Sequence, residues 1–260
     1  MQFQILGPIR VLDGRHEHVL NPRKVQALLA ALLIKSEQVV STDQIMMEIW
    51  YENPPRRAIA SLHVYVSQLR KFLAGTGEDG SRVLTRAPGY QLSLGADTVD
   101  VHEFRTLLER GRTLLQAGRP AEADHELDAA RVLWRGPALG EVAGDGPLLQ
   151  GFTAWAQEAW LECLELHIRT QLALGRHRSV IGKLHQLISE YPLQESFYLQ
   201  LMLALYRTDR QGDALRVYHQ ARNVLNTELS VEPCRALRDL HRTIIMGAEV
   251  VDERTAALAS

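Results

Sequence analysis

Cysteine is nearly missing: Cys163 and Cys234 are the only two among 260 residues, and they lie far apart. That leaves no paired spacing for a zinc or redox site and no disulfide framework, so both read as reduced packing residues. Long apolar runs are missing too. No stretch approaches the roughly 18 residues of a membrane span, and the opening Met1-Gln2-Phe3-Gln4 lacks the basic and then apolar regions of a signal peptide. The expected place is the cytosol. Extreme composition is also absent, since 46% hydrophobic and 23% charged residues are ordinary for a globular chain. A chain of this length is comfortable for two domains.

Charge is unevenly spread. Residues 1–95 carry 11 Lys+Arg against 8 Asp+Glu, a net of +3, whereas the remainder carries 18 against 23, a net of -5. A mildly basic head on an acidic body suits a nucleic-acid contact confined to the head.

The head begins with short β-type runs, Phe3–Leu6 and Ile9–Leu12, punctuated by Gly7-Pro8 and Asp13-Gly14, which predicts a small antiparallel sheet. Asn21 offers an N-cap and Pro22 a first helical residue for a helix to about Lys35, with Val25, Leu28, Leu29, Leu32 and Leu33 on one face. Ser41 and Gln44 stand at capping-box spacing before a second helix ending near Trp50. The loop Tyr51–Pro54 leads to Pro55, suited to the first turn of a third helix that runs to about Leu73. Ile59, Leu62, Val66, Leu69 and Leu73 form its buried stripe.

The opposite face holds Arg57, Ala60, Ser61, Val64, Ser67, Gln68 and Lys71, with Arg56 and Arg70 toward its edges. It is small at the centre and basic around it. Small residues let a helix sink into a groove, where Arg and Lys meet phosphates while Ser61, Val64 and Gln68 reach base edges. A plain solvated face competes with this on pattern alone. After a loop at Gly75–Gly80, two β-type runs flank Ala87-Pro88-Gly89 and predict a hairpin, a wing whose tip residue Arg86 suits a narrow minor groove or a plain surface position.

From Asp100 onward helical periodicity dominates. Ala117–Ala123, Leu174–His177 and Asp209–Ala214 repeat a local turn pattern, the last two about 35 residues apart, near the tetratricopeptide period. Stacked helix pairs with a concave protein-binding surface follow from that pattern, with a Gly/Pro-rich interruption at Glu141–Gly151. The fold class is therefore mainly α with a small β component: a winged helix-turn-helix over 1–96, then an all-α, tetratricopeptide-like region over 97–260.

Catalytic chemistry is not visible. Cys163 and His167 share a helical face without a third ligand, Gly182-Lys183 lacks the Gly and Ser/Thr of a phosphate loop at His177 and Leu184, and His185, His219 and His241 are scattered. No enzyme activity, cofactor or metal is expected. A tetratricopeptide-like scaffold whose winged helix binds protein is the alternative to DNA binding.

The run Val64-Tyr65-Val66-Ser67-Gln68-Leu69-Arg70-Lys71, followed by Leu84-Thr85-Arg86-Ala87-Pro88-Gly89-Tyr90, resembles the recognition helix and wing of OmpR-type regulators. With a helical region after the wing, the chain is similar to the SARP family, the Streptomyces antibiotic regulatory proteins, whose second half is a bacterial transcriptional activation domain. That resemblance implies an activator of secondary-metabolite genes that binds promoter direct repeats, two copies head to tail, and recruits RNA polymerase holoenzyme through its sigma factor. It implies Ser61, Val64 and Gln68 facing the groove, Tyr65, Arg70 and Lys71 on the DNA backbone beside Arg56 and Arg57, and Arg86 in the minor groove. The loop with Trp50, Glu52 and Asn53 has a family counterpart that faces sigma. Gln68 departs from the Arg common in OmpR-type helices, which moves the implied base contact from guanine toward adenine. Larger relatives add an ATPase or phosphopeptide-binding domain, so this chain reads as the small form, with residues 1–96 expected to fold alone.

Overall fold

The computed structural model describes residues 1–14, 16–74, 82–142 and 146–247. The predicted loop at 75–80 lies outside them. Most of the described chain is helical, with two small sheets.

The first sheet has the order β3-β2-β1-β7, from His16–His18, Arg10–Asp13, Gln2–Gln4 and Thr98–Val99. β1 and β2 pair antiparallel with Phe3 opposite Val11, and β7 joins β1 in parallel with Phe3 opposite Val99. The third strand, His-Glu-His, has no apolar alternation, which is why the sequence does not announce it. Helix α1 (Arg23–Ile34) is buried along most of its length, from Val25 to Leu33. Its cap position is Pro22 rather than Asn21, because Pro22 holds an extended ψ and its carbonyl accepts from Val25 and Gln26 N–H.

Strand β4 (Val39–Ser41) leads directly into α2 (Thr42–Trp50), and the capping box forms as expected, with Gln44 N–H on Ser41 Oγ and Ser41 N–H on Gln44 Oε1, both at 3.2 Å. Helix α3 spans Ala58–Ala74, so Pro55 lies in the turn before it, not in its first turn. Leu62, Val66, Leu69 and Leu73 are buried as predicted. Ile59 is not: it is 56% exposed. Its angle around the axis is right, but α3 starts at Ala58, and Ile59 sits in the first turn, beyond the depth the core reaches.

The second sheet has the order β4-β6-β5, with β5 (Val83–Arg86) and β6 (Gly89–Leu92) forming the expected wing. Tyr90 in β6 faces Val40 in β4.

Helices α4 (Asp100–Gln116), α5 (Pro120–Val132), α6 (Pro147–Ala173), α7 (His177–Glu190), α8 (Glu195–Tyr206), α9 (Gln211–Leu229) and α10 (Arg235–Ile245) follow. The three recurring turn patterns each join two of them. The Gly/Pro-rich interruption is narrower than expected, since a 3-10 turn occupies Gly140–Val142 and α6 already begins at Pro147.

The chain forms two compact units. One comprises residues 1–110 and 126–163, the other 111–125 and 164–260. In the first, Asp100 at the start of α4 is nearly inaccessible, and its carboxylate accepts from Ile5 N–H at 2.9 Å and Leu6 N–H at 3.0 Å. Arg135 stands 3.6 Å from that carboxylate and donates to Pro8 carbonyl oxygen at 2.9 Å. In the second unit α8 is apolar nearly all round, as a helix surrounded by others must be, and it packs on α7, α9 and α10.

Candidate nucleic-acid interface

The exposed side of α3 follows from its buried stripe. With Leu62, Val66, Leu69 and Leu73 inward, Ala60, Val64, Ser67, Gln68 and Lys71 are exposed, and Val64 is 52% open. Ser61 is half-buried at the edge of the same face. Arg56 and Arg57 are exposed in the turn just before the helix. From Arg56 to Ala74 there is no acidic residue, so the face carries Arg57 and Lys71 at its ends and nothing to oppose them.

Two residues beside this face are engaged within the protein. Arg70 donates from Nε to Val83 carbonyl oxygen at 2.9 Å and from Nη to Thr85 Oγ1 at 2.8 Å, tying α3 to the first strand of the wing. The Tyr65 ring packs on Trp50 with centroids 5.8 Å apart, and Lys24 Nζ lies 5.4 Å from the Trp50 ring. Trp50 is therefore half-buried between α1 and α3, while Met47, Tyr51, Glu52 and Asn53 are exposed around the turn.

Arg86 is exposed at the end of β5, paired across the hairpin with Gly89 after a cis Ala87-Pro88 bond. The tip is buttressed from below. Thr42 donates both its N–H and its Oγ1 hydroxyl to Pro88 carbonyl oxygen at 3.1 Å. Gly89 lies so close to β4 that a Cβ there would collide with Val40 carbonyl oxygen, so no other residue fits.

Sequence reasoning missed two of these supports, the Arg70 clamp and the Thr42 brace, and, away from the exposed face of α3 and the wing, a buried carboxylate, Glu48, on α2. Glu48 accepts from the N–H groups of Leu148 and Leu149 at 2.9 and 3.0 Å. Its one sequence signal is a charge three residues after Ile45, on the face expected to be apolar. Elsewhere Cys163 is a packing residue, as expected: burial pushes its thiol up to about 12, so it holds its proton at neutral pH. Cys234, expected to pack as well, is exposed at the cap of α10 instead.

This arrangement, a helix presented beside a braced two-stranded wing, defines a winged helix-turn-helix followed by a helical domain. Residues 16–92 match the family "Transcriptional regulatory protein, C terminal", and residues 99–245 match "Bacterial transcriptional activator domain". The chain belongs to the SARP family of transcription regulators. It is similar to regulatory protein DnrI of Streptomyces peucetius, 30% identical over 97% of this chain and 94% of that one. Transcriptional regulator RedD of Streptomyces coelicolor is 35% identical over 94% of this chain and 70% of its own. EmbR of Mycobacterium tuberculosis is also 35% identical, and this chain spans 63% of its length. The solved structure of that EmbR in complex with a low affinity phosphopeptide superposes with a TM-score of 0.91 at 33% identity, over 98% of this chain and 67% of that one. These families are transcription regulators, not enzymes. No helix among the described residues is long and apolar enough to cross a membrane.

Proposed function

We propose that the chain activates transcription from promoters of secondary-metabolite genes by binding direct repeats as a head-to-tail pair and recruiting RNA polymerase holoenzyme through sigma. It would act in the cytoplasm, on the nucleoid. The observation that carries the DNA reading is the acid-free face of α3 with an exposed arginine at the tip of a braced wing. Ser61, Val64 and Gln68 are the base-reading residues of this proposal, with Val64 against a thymine methyl and Gln68 on an adenine edge. Arg56, Arg57 and Lys71 contact phosphates, and Arg86 enters the minor groove. Arg70 and Tyr65 act mainly by holding the wing and α2 in place. A head built to bind protein would have little use for cations on both α3 and the wing.

For polymerase, the exposed Tyr51, Glu52 and Asn53 with Met47 make a better contact than Trp50, whose ring is occupied by Lys24 and Tyr65. Footprinting of the purified protein on promoters beside its own gene tests both halves. Protection of two repeats one or more helical turns apart, followed by transcript from added holoenzyme, is expected. Uniform, sequence-independent protection would reject the proposal.

A further inference from the structure

Helix α6 opens with Gly146-Pro147-Leu148-Leu149. The residue before the helix has no side chain and the first helical residue has no N–H, so the local sequence supplies no cap for the N–H groups that follow. Those of Leu148 and Leu149 donate instead to the two oxygens of Glu48, 100 and 101 positions upstream on α2. Glu48 is only 4% exposed. A Cβ on Gly146 would fall on the Glu48 carboxylate and 2.6 Å from Glu48 Cα, so the start of α6 lies directly against the backbone of α2 and requires glycine.

A carboxylate withdrawn from water and held by two N–H groups at a helix N-terminus is fixed in both depth and rotation. It stands in the last turn of α2. Tyr51, which caps that helix with φ +51°, begins the exposed turn three residues later, and the turn's own backbone bonds, Tyr51 N–H to Met47 and Asn53 N–H to Trp50, lead back into α2. Whatever fixes this end of α2 fixes the origin of the turn.

We propose that Glu48 is a positioning residue for activation: by capping α6 it seats the C-terminal half of α2, and so the turn from Tyr51 to Arg57, leaving the DNA-facing side of α3 untouched. This rests on the reading of that turn as the polymerase contact. It gives the helical region a role in activation that does not require it to touch polymerase itself.

The test uses the full chain, with transcription by purified holoenzyme measured at protein concentrations where footprinting shows the operator fully occupied. Glu48→Gln keeps the volume of the side chain but turns an NH2 toward one of the two N–H donors. It should lower transcript per occupied promoter by roughly threefold to thirtyfold, the range such couplings span, and leave operator Kd within about twofold. Amide exchange should quicken at Leu148, Leu149 and also at Tyr51 and Glu52. A purely stabilising Glu48 would shift occupancy and transcript together, with normal yield per occupied promoter and exchange altered only at 148 and 149, and that result overturns the proposal. Tyr51→Ala separates the two layers. If it lowers yield while Glu48→Gln does not, the capping role is wrong and the polymerase surface stands; if neither lowers yield, the polymerase reading fails and the capping role with it.

Discussion

At the scale of single residues, the proposed DNA reading assigns each side chain of α3 a different kind of contact according to its position. Lys71 stands at the end of the exposed face, with a long cationic reach, whereas Gln68 is nearer its centre and carries no charge. Lys71→Ala should weaken binding to every sequence alike and reduce the slope of log K against log salt by about one, the signature of one lost phosphate contact. Gln68→Ala should leave that slope unchanged and relax preference at one base pair, costing about 1–3 kcal/mol on the preferred site. Titrations against salt and single-base operator variants separate the two, and identical behaviour would show that α3 is turned differently in the groove.

Asp100 makes a second residue-scale case, of stability rather than recognition. Burial lifts its carboxyl above the usual carboxylate range, against the opposing pull of the Ile5 and Leu6 N–H groups and of Arg135. The folded chain thus holds that proton more tightly than the unfolded chain does. Asp100's contribution to stability is fully present below the unfolded value near 3.8 and declines as pH rises through the raised one. Asp100→Ala removes the acceptor and leaves two buried N–H groups unpaired, at a cost of about 1–3 kcal/mol for each. Urea midpoints of the two proteins should differ most near pH 4 and draw together toward neutral pH. A gap that widens toward neutral pH would mean that the ionised carboxylate is the favoured form.

Elements show where sequence reasoning holds and where it stops. The existence and order of the head's helices and wing follow from local signals: the capping box at Ser41 and Gln44, the stripe from Leu62 to Leu73, the turn at Ala87-Pro88-Gly89. The outward face of α3 follows from the same stripe. What could not be read is how elements brace one another, because the partners are remote: Arg70 to Val83 and Thr85, Thr42 to Pro88, Glu48 to Leu148 and Leu149. Ile59 failed for a related reason, since periodicity gives an angle but not the depth at which a core ends. The wing's dependence on these braces is testable. Arg70→Ala frees β5 from α3, so Arg86 would no longer be held where the proposal needs it. Arg86→Ala alone should reduce affinity most on operators with A·T-rich flanks. In the Arg70→Ala background the same change should cost measurably less, a coupling of about 0.5–3 kcal/mol in a double-mutant cycle. Strict additivity would mean that the wing keeps its place without Arg70.

For the whole molecule, the family boundaries and the compact units differ in an instructive way. The two family matches fall on either side of residue 96, yet the unit containing the winged helix continues through residues 97–110 and 126–163. The reason lies in hydrogen bonding. β7 completes the first sheet beside β1, Asp100 accepts from Ile5 and Leu6, and the carbonyls of Leu6 and Ile5 accept from the N–H groups of Arg135 and Leu139. Glu48 needs Leu148 and Leu149. A chain cut at residue 96 keeps its three helices and wing but strips partners from both ends of β1 and from a buried carboxylate. Unpaired buried groups cost about 1–3 kcal/mol each, and a domain's total stability is about 5–15 kcal/mol. Several such losses together consume most of it. Residues 1–96 alone should therefore unfold at a much lower urea concentration than the full chain, whereas residues 1–163 should keep a cooperative transition near that of the full chain. Operator binding should follow the same order, with the short fragment regaining affinity only when cooled or in stabilising salt. If residues 1–96 unfold cooperatively at the midpoint of the full chain, these contacts are incidental to the head, and its DNA-binding half is an independent domain after all.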